Sequence, residues 1–354
     1  MPYTAILPAI ALLLLLTWAH LVFWRRKLTR PVVYDETHRI KTPDGCGYEL
    51  RRLQPVTPSA EVPLLLVHGV AINHRNLDAD DNLSLARTLR ASGRDVWLLT
   101  LRSGRSDLLP SEWSKVRFEA MVDHDVPLAA REVLRRTSAE QLDYIGFSMG
   151  GMLLYASLGR TLPQGQVRRA VIIGSPGRVG KQVPGSGVLT LLPGPLLTRA
   201  PLRTLSQYFA FASEWFPTVV HGITMHLPNA MPGYVRHAAV DAVQSIPAPL
   251  LRDMVRWSQR DQIPRLRDGR DILAGLATVD VPVLFVGGTQ DRLCPPRALQ
   301  AAFDAWGCNL GHTLKRMHLV GKAHGHLEDY GHADLAIGKR SQVEVFAPIV
   351  EFLR

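Results

Sequence analysis

Six short apolar runs, spaced along a 354-residue chain, set the tightest limit on its fold. They are Pro63–Val67, Asp95–Leu101, Leu142–Phe147, Arg169–Ile173, Pro282–Val286 and Leu314–Val320. Such runs, separated by helical patterns, predict parallel strands buried on both faces, an α/β class with helices covering a mostly parallel sheet. Ahead of them, His38–Thr42 and Gly47–Leu53 flank the turn Pro43-Asp44-Gly45 and predict a hairpin. From about residue 178 to 275 the rhythm breaks. That interval is rich in Pro and Gly and carries apolar pieces, LTLLPGPLL and YFAFASEWFP, that read as exposed. It is expected to be a cap or lid inserted between two core strands. The expected division is therefore an amino-terminal membrane anchor at 1–30, the first part of the core at 31–177, the cap at 178–275 and the second part of the core at 276–354. No internal repeat or low-complexity tract competes with this reading.

Residues 4–24 contain no Asp, Glu, Lys or Arg. A helix of that length spans about 30 Å, the thickness of a hydrocarbon core. Trp18, Phe23 and Trp24 lie toward one end, and Arg25, Arg26, Lys27 and Arg30 follow. A cleaved signal peptide is the competing reading. Against it, no Lys or Arg precedes the run and no small-x-small cleavage site follows it. The expectation is a single-pass anchor. The basic cluster after the span places the main domain in the cytoplasm by the positive-inside rule.

The formal net charge is +10, yet no nucleic-acid-binding motif accompanies it. The charge favours an anionic membrane surface as partner rather than nucleic acid. Three cysteines, Cys46, Cys294 and Cys308, make no disulfide framework.

Gly146-Phe147-Ser148-Met149-Gly150-Gly151 matches G-x-S-x-G. The pattern alone is weak. Here a strand candidate, Leu142–Phe147, ends at the serine, and a helix candidate, Met149–Leu158, starts after it. A sharp strand-to-helix turn lifts a serine hydroxyl out of the sheet, where it can act as a nucleophile. The tetrahedral oxyanion of acyl transfer needs preorganised backbone donors. Met149 N–H is one candidate, and Val70 N–H, in the loop Val67-His68-Gly69-Val70 after an early strand, is the other. His68 is expected to fix that loop rather than to act as a base.

In this strand-turn-helix arrangement the acid and the base follow the serine in the chain. Asp291 comes after the apolar strand through Gly287-Gly288-Thr289-Gln290, at the carboxyl end of the sheet. Asp280 precedes that strand and belongs to the other end. Three histidines compete for the base: His324, His326 and His332. A metal-binding role for this cluster finds no supporting pattern.

With these residues placed, the chain resembles the acid lipase family and its bacterial α/β-hydrolase relatives from about residue 36 to the end, apart from the cap. HRIKTPDGCGYELRRL looks like the family's opening hairpin and DVWLLTLRSGRSD like its strand and Arg-Gly loop. FEAMVDHDVPLAAREVL resembles its Phe-x-x-Met…Asp-x-Pro-Ala helix, with Leu128 intervening before Ala129. YGHADLAIG is similar to its Tyr-x-His-x-Asp-Phe…Gly segment. The resemblance implies the α/β-hydrolase fold, a Ser148–Asp291–His332 triad, and Val70 and Met149 as oxyanion donors. Leu335 replaces the usual aromatic, and the loop from Gly321 to Tyr330 is longer than in those lipases. A weaker likeness to polyhydroxyalkanoate synthases is visible, but those use cysteine where this chain has Ser148.

The expected activity is cleavage of carboxylic esters of lipophilic substrates through an acyl-enzyme, with no metal and no organic cofactor. Two rivals remain: an acyltransferase using the same acyl-enzyme, and a non-catalytic lipid-binding protein on a hydrolase fold.

Overall fold

The computed structural model describes residues 3–57, 61–180, 199–259 and 261–354. An amino-terminal helix, α1, runs over Tyr3–Leu28 and includes Pro8. Ten strands follow. β1 is Glu36–Lys41, β2 Gly47–Leu53, β3 Leu64–Val67, β4 Val96–Thr100 and β5 Leu142–Phe147. β6 is Val167–Ile173, β7 Arg199–Ala200, β8 Ile246–Pro247, β9 Val283–Gly288 and β10 Lys315–Val320. Eight of them form one sheet in the order β1-β2-β4-β3-β5-β6-β9-β10. The β1–β2 and β2–β4 pairs are antiparallel, and every other pair in that sheet is parallel. The runs read from the sequence as strands are the strands of this sheet, with ends shifted by a residue or two.

Burial explains the arrangement. β3, β4, β5 and β9 are buried at every position, as central strands covered on both faces must be. Along β5, Tyr144 enters one core with Trp97, Phe285 and Trp306, while Ile145 and Phe147 enter the other with Leu98, Phe346 and Leu353. β1 alternates between half-buried and exposed, which suits an edge.

Two buried ion clusters tie distant segments together. At the amino end of β5, Asp143 accepts from Arg168 Nε at 3.0 Å and also pairs with Arg94. Both arginines donate to the carbonyl of Leu353, at 3.0 and 3.1 Å, so the last helix is held to the sheet. At the carboxyl end, Arg102 and Asp125 are fully buried. Arg102 Nε and Nη2 donate to Asp125 Oδ1 at 2.9 and 2.7 Å, and Arg102 N donates to Oδ2 at 2.9 Å. Asp44 of the hairpin turn closes the cluster on Arg102. Three sequence segments that carry the lipase likeness therefore meet in one place.

The final helical segment is a π turn at Gln342–Phe346 followed by an α-helix at Ala347–Leu353. Pro348 causes the change, because it has no N–H to continue an α ladder and its ring crowds the carbonyl four residues back. Met121–Asp125 is a second π turn, ahead of Pro127.

Between β6 and β9 the described residues add no strand to the large sheet; β7 and β8 pair only with each other. Helices at Leu202–Phe209, Val219–Thr224, Tyr234–Asp241 and Ala248–Ser258 fill the interval. LTLLPGPLL lies outside the described residues. Residues 242–244, among those described, dock on the loop after β3: Gln244 N donates to the Ala71 carbonyl at 2.7 Å, and Asn73 N to the Ala242 carbonyl at 3.0 Å. Trp257 packs edge-on against Phe118 with ring centroids 5.0 Å apart.

Among the described residues, α1 supplies the one stretch long and apolar enough to cross a membrane, Ile6–Leu28 with mean hydropathy 2.3. Residues 6–16 are exposed throughout. The other end is held by protein: Leu28 is buried in a small cluster with Ala210, Ala239 and Val240, against which Trp24 packs.

Candidate active site

Ser148 sits between β5 and the helix Met149–Ser157, with φ 52° and ψ −118°. A non-glycine residue there costs on the order of 1–3 kcal/mol and persists only where its surroundings enforce it. They do so here through the backbone. Ser148 N donates to the Ile173 carbonyl at 2.8 Å, and the Ser148 carbonyl accepts from Gly151 N at 3.1 Å. The motif glycines permit the turn. A Cβ on Gly146 would lie 2.5 Å from Gly151 N, and one on Gly150 would lie 2.2 Å from the Val67 carbonyl oxygen. Tyr144, buried in the core, donates its hydroxyl to the Gly150 carbonyl at 2.8 Å.

The loop after β3 runs alongside. A Cβ on Gly69 would come within 2.9 Å of Ser148 Cβ. Ala71 holds φ 60°, and Val70 between them is half-buried. Val70 N–H makes no loop or turn hydrogen bond to backbone among the described residues. Met149 opens its helix, where the first N–H groups have no intrahelical acceptor. Both backbone donors singled out in the sequence thus flank Ser148 without an assigned backbone acceptor.

His68 is fully buried beneath this loop. Leu101 N donates to its Nε2 at 3.1 Å, which leaves Nδ1 to donate to the Gly69 carbonyl at 2.8 Å. The ring is therefore neutral and spans two strand ends, as a loop-fixing residue would. Burial drives its pKa down to about 4. A histidine depressed from its ordinary value near 6.5 contributes stability that is full above that value and is lost as pH falls toward the folded-state pKa. Unfolding by urea in mild detergent should show a loss of roughly 2–3 kcal/mol from this group between pH 7 and 4.5. His68→Asn should flatten that part of the profile, and an unchanged slope would remove His68 as its source.

Asp291 follows β9 and is buried. Its Oδ1 accepts from Leu293 N at 2.8 Å and Cys294 N at 2.7 Å, which leaves Oδ2 for His332 Nδ1, 2.7 Å away. His332 is buried too, and its ring stands edge-on to Phe147, next to Ser148, with centroids 5.1 Å apart. A Cβ on Gly174, at the end of β6, would lie 3.2 Å from His332 Nδ1 and 3.4 Å from Asp291 Oδ2. Ends of β5, β6 and β9 thus converge on the pair.

Of the competing histidines, His324 is exposed, and His326 is half-buried with its ring edge-on to His318 at 5.3 Å. Among the described residues neither bonds to Asp291. Asp280 lies just ahead of β9 and bonds instead to Thr313 and His312. The long loop from Gly321 to Tyr330 returns the chain by its own bonds. Lys322 N donates to Asp329 Oδ1 at 2.9 Å, Tyr330 Oη to Glu344 Oε2 at 2.9 Å, and Gln290 N to the Tyr330 carbonyl at 2.8 Å. That last bond joins the neighbours of Asp291 and His332.

Sequence reasoning did not single out Asp334. It is fully buried two residues after His332, and its carboxyl accepts from Gly331 N at 2.8 Å, His226 N at 2.9 Å and Asn229 Nδ2 at 3.1 Å. It clamps the histidine loop to the segment between β6 and β9. The Tyr-Gly-His-Ala-Asp string contained it, but nothing in spacing reveals partners more than a hundred residues away. Among the described residues no group of three or more His, Cys, Asp or Glu side chains is arranged to hold a metal ion. Cys46, Cys294 and Cys308 are all free thiols.

A sheet of this order, with a strained serine at the end of β5 and an Asp–His pair after the last two strands, is the frame of one large enzyme class. The sequence model of the alpha/beta hydrolase fold family matches residues 62–335, and the chain belongs to that family. A probable lipase of Schizosaccharomyces pombe is 27% identical over 178 residues, which is 45% of this chain. The match spans only 38% of that relative's length. Among solved structures, an esterase from Exiguobacterium antarcticum superposes with a TM-score of 0.57 at 16% identity, covering 89% of this chain and 98% of that one. A membrane phospholipase A, described as a bacterial virulence factor, superposes with a TM-score of 0.53 at 16% identity, covering 98% of this chain and 97% of that one. At such identities the likeness to solved structures is one of fold.

Proposed function

We propose that the protein is a serine hydrolase that cleaves carboxylic esters of lipophilic substrates and is held at a membrane by α1. The observation that carries the chemistry is the 2.7 Å contact between His332 Nδ1 and Asp291 Oδ2, next to a serine held at φ 52°. Nδ1 is the donor in that contact, so Nε2 is the ring atom left to accept the Ser148 proton as Oγ attacks the ester carbonyl. Asp291 orients the ring and stabilises its cation. Val70 and Met149 N–H receive the oxyanion. The imidazolium then protonates the leaving alcohol, and water, activated by the same ring, cleaves the acyl-enzyme.

Lipophilic substrates are supported by the lipase and esterase relatives and by the apolar segment between β6 and β9, which serves as the cap at 178–275. The anchor is supported by the uncharged length of α1, and the basic residues after it support a cytoplasmic catalytic domain. A fluorophosphonate probe should label the purified full chain at Ser148, located by peptide mass spectrometry. A panel of esters should then show turnover that rises with acyl length beyond short soluble esters. Absence of labelling, with the protein folded, would refute the enzyme reading.

A further inference from the structure

The geometry points to a second membrane contact: the apolar edge of the segment between β6 and β9 lies in the same leaflet as the carboxyl end of α1. This rests on the proposal that α1 spans the bilayer, and it adds that the catalytic domain lies on the lipid rather than hanging from a flexible stem.

The first observation is the depth at which protein meets α1. The helix Leu202–Phe209 and the turn after it pack along α1 up to His20. His20 Nε2 is 2.9 Å from the Tyr208 carbonyl oxygen, which it meets as donor, and its ring lies 4.7 Å from the Tyr208 ring and 5.4 Å from that of Phe211. Trp24 stacks on Phe211 at 5.4 Å. At about 1.5 Å of rise per residue, His20 stands roughly 6 Å above Trp24 and 12 Å above Leu28. His20 belongs to the uncharged run, and Arg25, Arg26 and Lys27 mark where that run ends. Whatever touches His20 is therefore at the boundary of headgroups and acyl chains, the depth of about 5–10 Å at which interfacial helices settle.

The second observation is what the contacting segment presents. Leu205, Phe209, Trp215, Phe216, Val219 and Val220 are each at least half exposed. On the helix Leu202–Phe209, Thr204 is exposed but the other polar side chains are tied inward: Arg203 Nη1 donates to Gln244 Oε1 at 3.0 Å, Ser206 Oγ to the Ala239 carbonyl at 2.9 Å and Gln207 Nε2 to the Val240 carbonyl at 3.1 Å. Leu205 and Phe209, one turn apart, are left outside. An amphipathic helix inverted in this way, continuous with a membrane-spanning helix and edged by aromatic rings, fits a lipid surface.

The third observation is rigidity. Arg30 N donates to Asp241 Oδ2 at 2.9 Å, the Arg30 guanidinium lies 4.3 Å from the Tyr234 ring centre and pairs with Asp80, and His237 bonds to the Leu28 carbonyl. The residues after α1 are therefore not a free linker. The same apolar edge leads into the site, because the Thr224 carbonyl at the end of Val219–Thr224 accepts from Ala333 N at 2.8 Å, beside His332.

Depth-dependent quenching tests this. In the full chain carrying Cys308→Ser, where the remaining thiols of Cys46 and Cys294 are buried, one reactive cysteine at a time is introduced as Leu13→Cys, Phe209→Cys, Phe216→Cys or Leu314→Cys. Each is labelled with an environment-sensitive fluorophore and reconstituted in vesicles of phosphatidylcholine and phosphatidylglycerol. Labels at 209 and 216 should be quenched most by lipids bearing a nitroxide high on the acyl chain. The label at 13 should be quenched most by a deep nitroxide, and the label at 314, at the amino end of β10, by neither. If 13 is quenched while 209 and 216 are not, the second contact is wrong and the anchor stands. If 13 is not quenched, the anchor fails and this inference with it. A separate readout is Phe209→Asp with Phe216→Asp. Hydrolysis of a long-chain ester in vesicles should fall about tenfold, while hydrolysis of a soluble short-chain ester stays within about twofold. Equal loss on both substrates would point to a purely structural role for these residues.

Discussion

Ser148→Ala and His332→Ala should each lower kcat for ester cleavage by about four to six orders of magnitude, while His324→Ala and His326→Ala lose about tenfold or less. Without Oγ there is no nucleophile, and no cysteine or threonine within the turn can replace it. Without His332 the hydroxyl has no acceptor for its proton, because His68 already commits both ring nitrogens to the loop it fixes. His324 is exposed and makes no bond to Asp291 among the described residues, so its removal should leave the Asp291–His332 pair intact. The measurement is kcat and KM on a soluble ester with all four variants checked for equal melting temperature. An inactive His324→Ala beside an active His332→Ala would move the base to His324 and overturn the assignment.

The largest effect on stability is expected at Arg102, far from any role in bond breaking. Arg102→Met removes the partner of the fully buried Asp125 and leaves that carboxylate with only the Arg102 backbone N–H from this cluster. Stranding one member of a buried pair costs about 3–5 kcal/mol. The effect should also reach the site, since Gly104 in the same turn packs against His68: a Cβ there would lie 2.5 Å from His68 Nε2. The double variant Arg102→Met with Asp125→Leu removes both charges and should recover much of the loss, as replacement of buried ion pairs by apolar groups often does. Denaturant unfolding of the two single variants and the double variant decides the matter. A double variant as unstable as the singles added together would mean that the cluster is not acting as a pair.

Much of the site was legible because its signals are local. The serine turn needs glycines within three residues, and the strand before it is a single apolar run. Asp291 is placed by its position after a strand. His332 was harder, because the distance from β10 favours His324, and only the Tyr-Gly-His-Ala-Asp string argued otherwise. In the structure Gln290, Asp329 and Glu344 hold the extra loop, and it is His332 that stands against Asp291. What the sequence concealed are contacts between segments far apart in the chain. Asp44, Arg102 and Asp125 each read as part of a separate resemblance, and periodicity does not reveal that their charges meet. The helices between β6 and β9 were unreadable for a different reason. Two of them, Leu202–Phe209 and Ala248–Ser258, are strongly amphipathic, but each of the four is only 6 to 11 residues long and the Pro and Gly between them break the pattern into short pieces.

The sheet order has a further consequence, for the way the chain comes into being. β5, with the serine turn, is flanked by β3 and β6, all made within the first half of the chain. The strands that deliver Asp291 and His332 are β9 and β10, and β6 waits for β9 across more than a hundred residues. The Leu353 carbonyl, further on still, meets the arginines around Asp143 at the amino end of β5. During synthesis from the amino terminus, Ser148 is made well before Asp291 and His332. The proposed nucleophile is therefore made well before either of its proposed partners, and a nascent chain carries it through that interval without the means to use it.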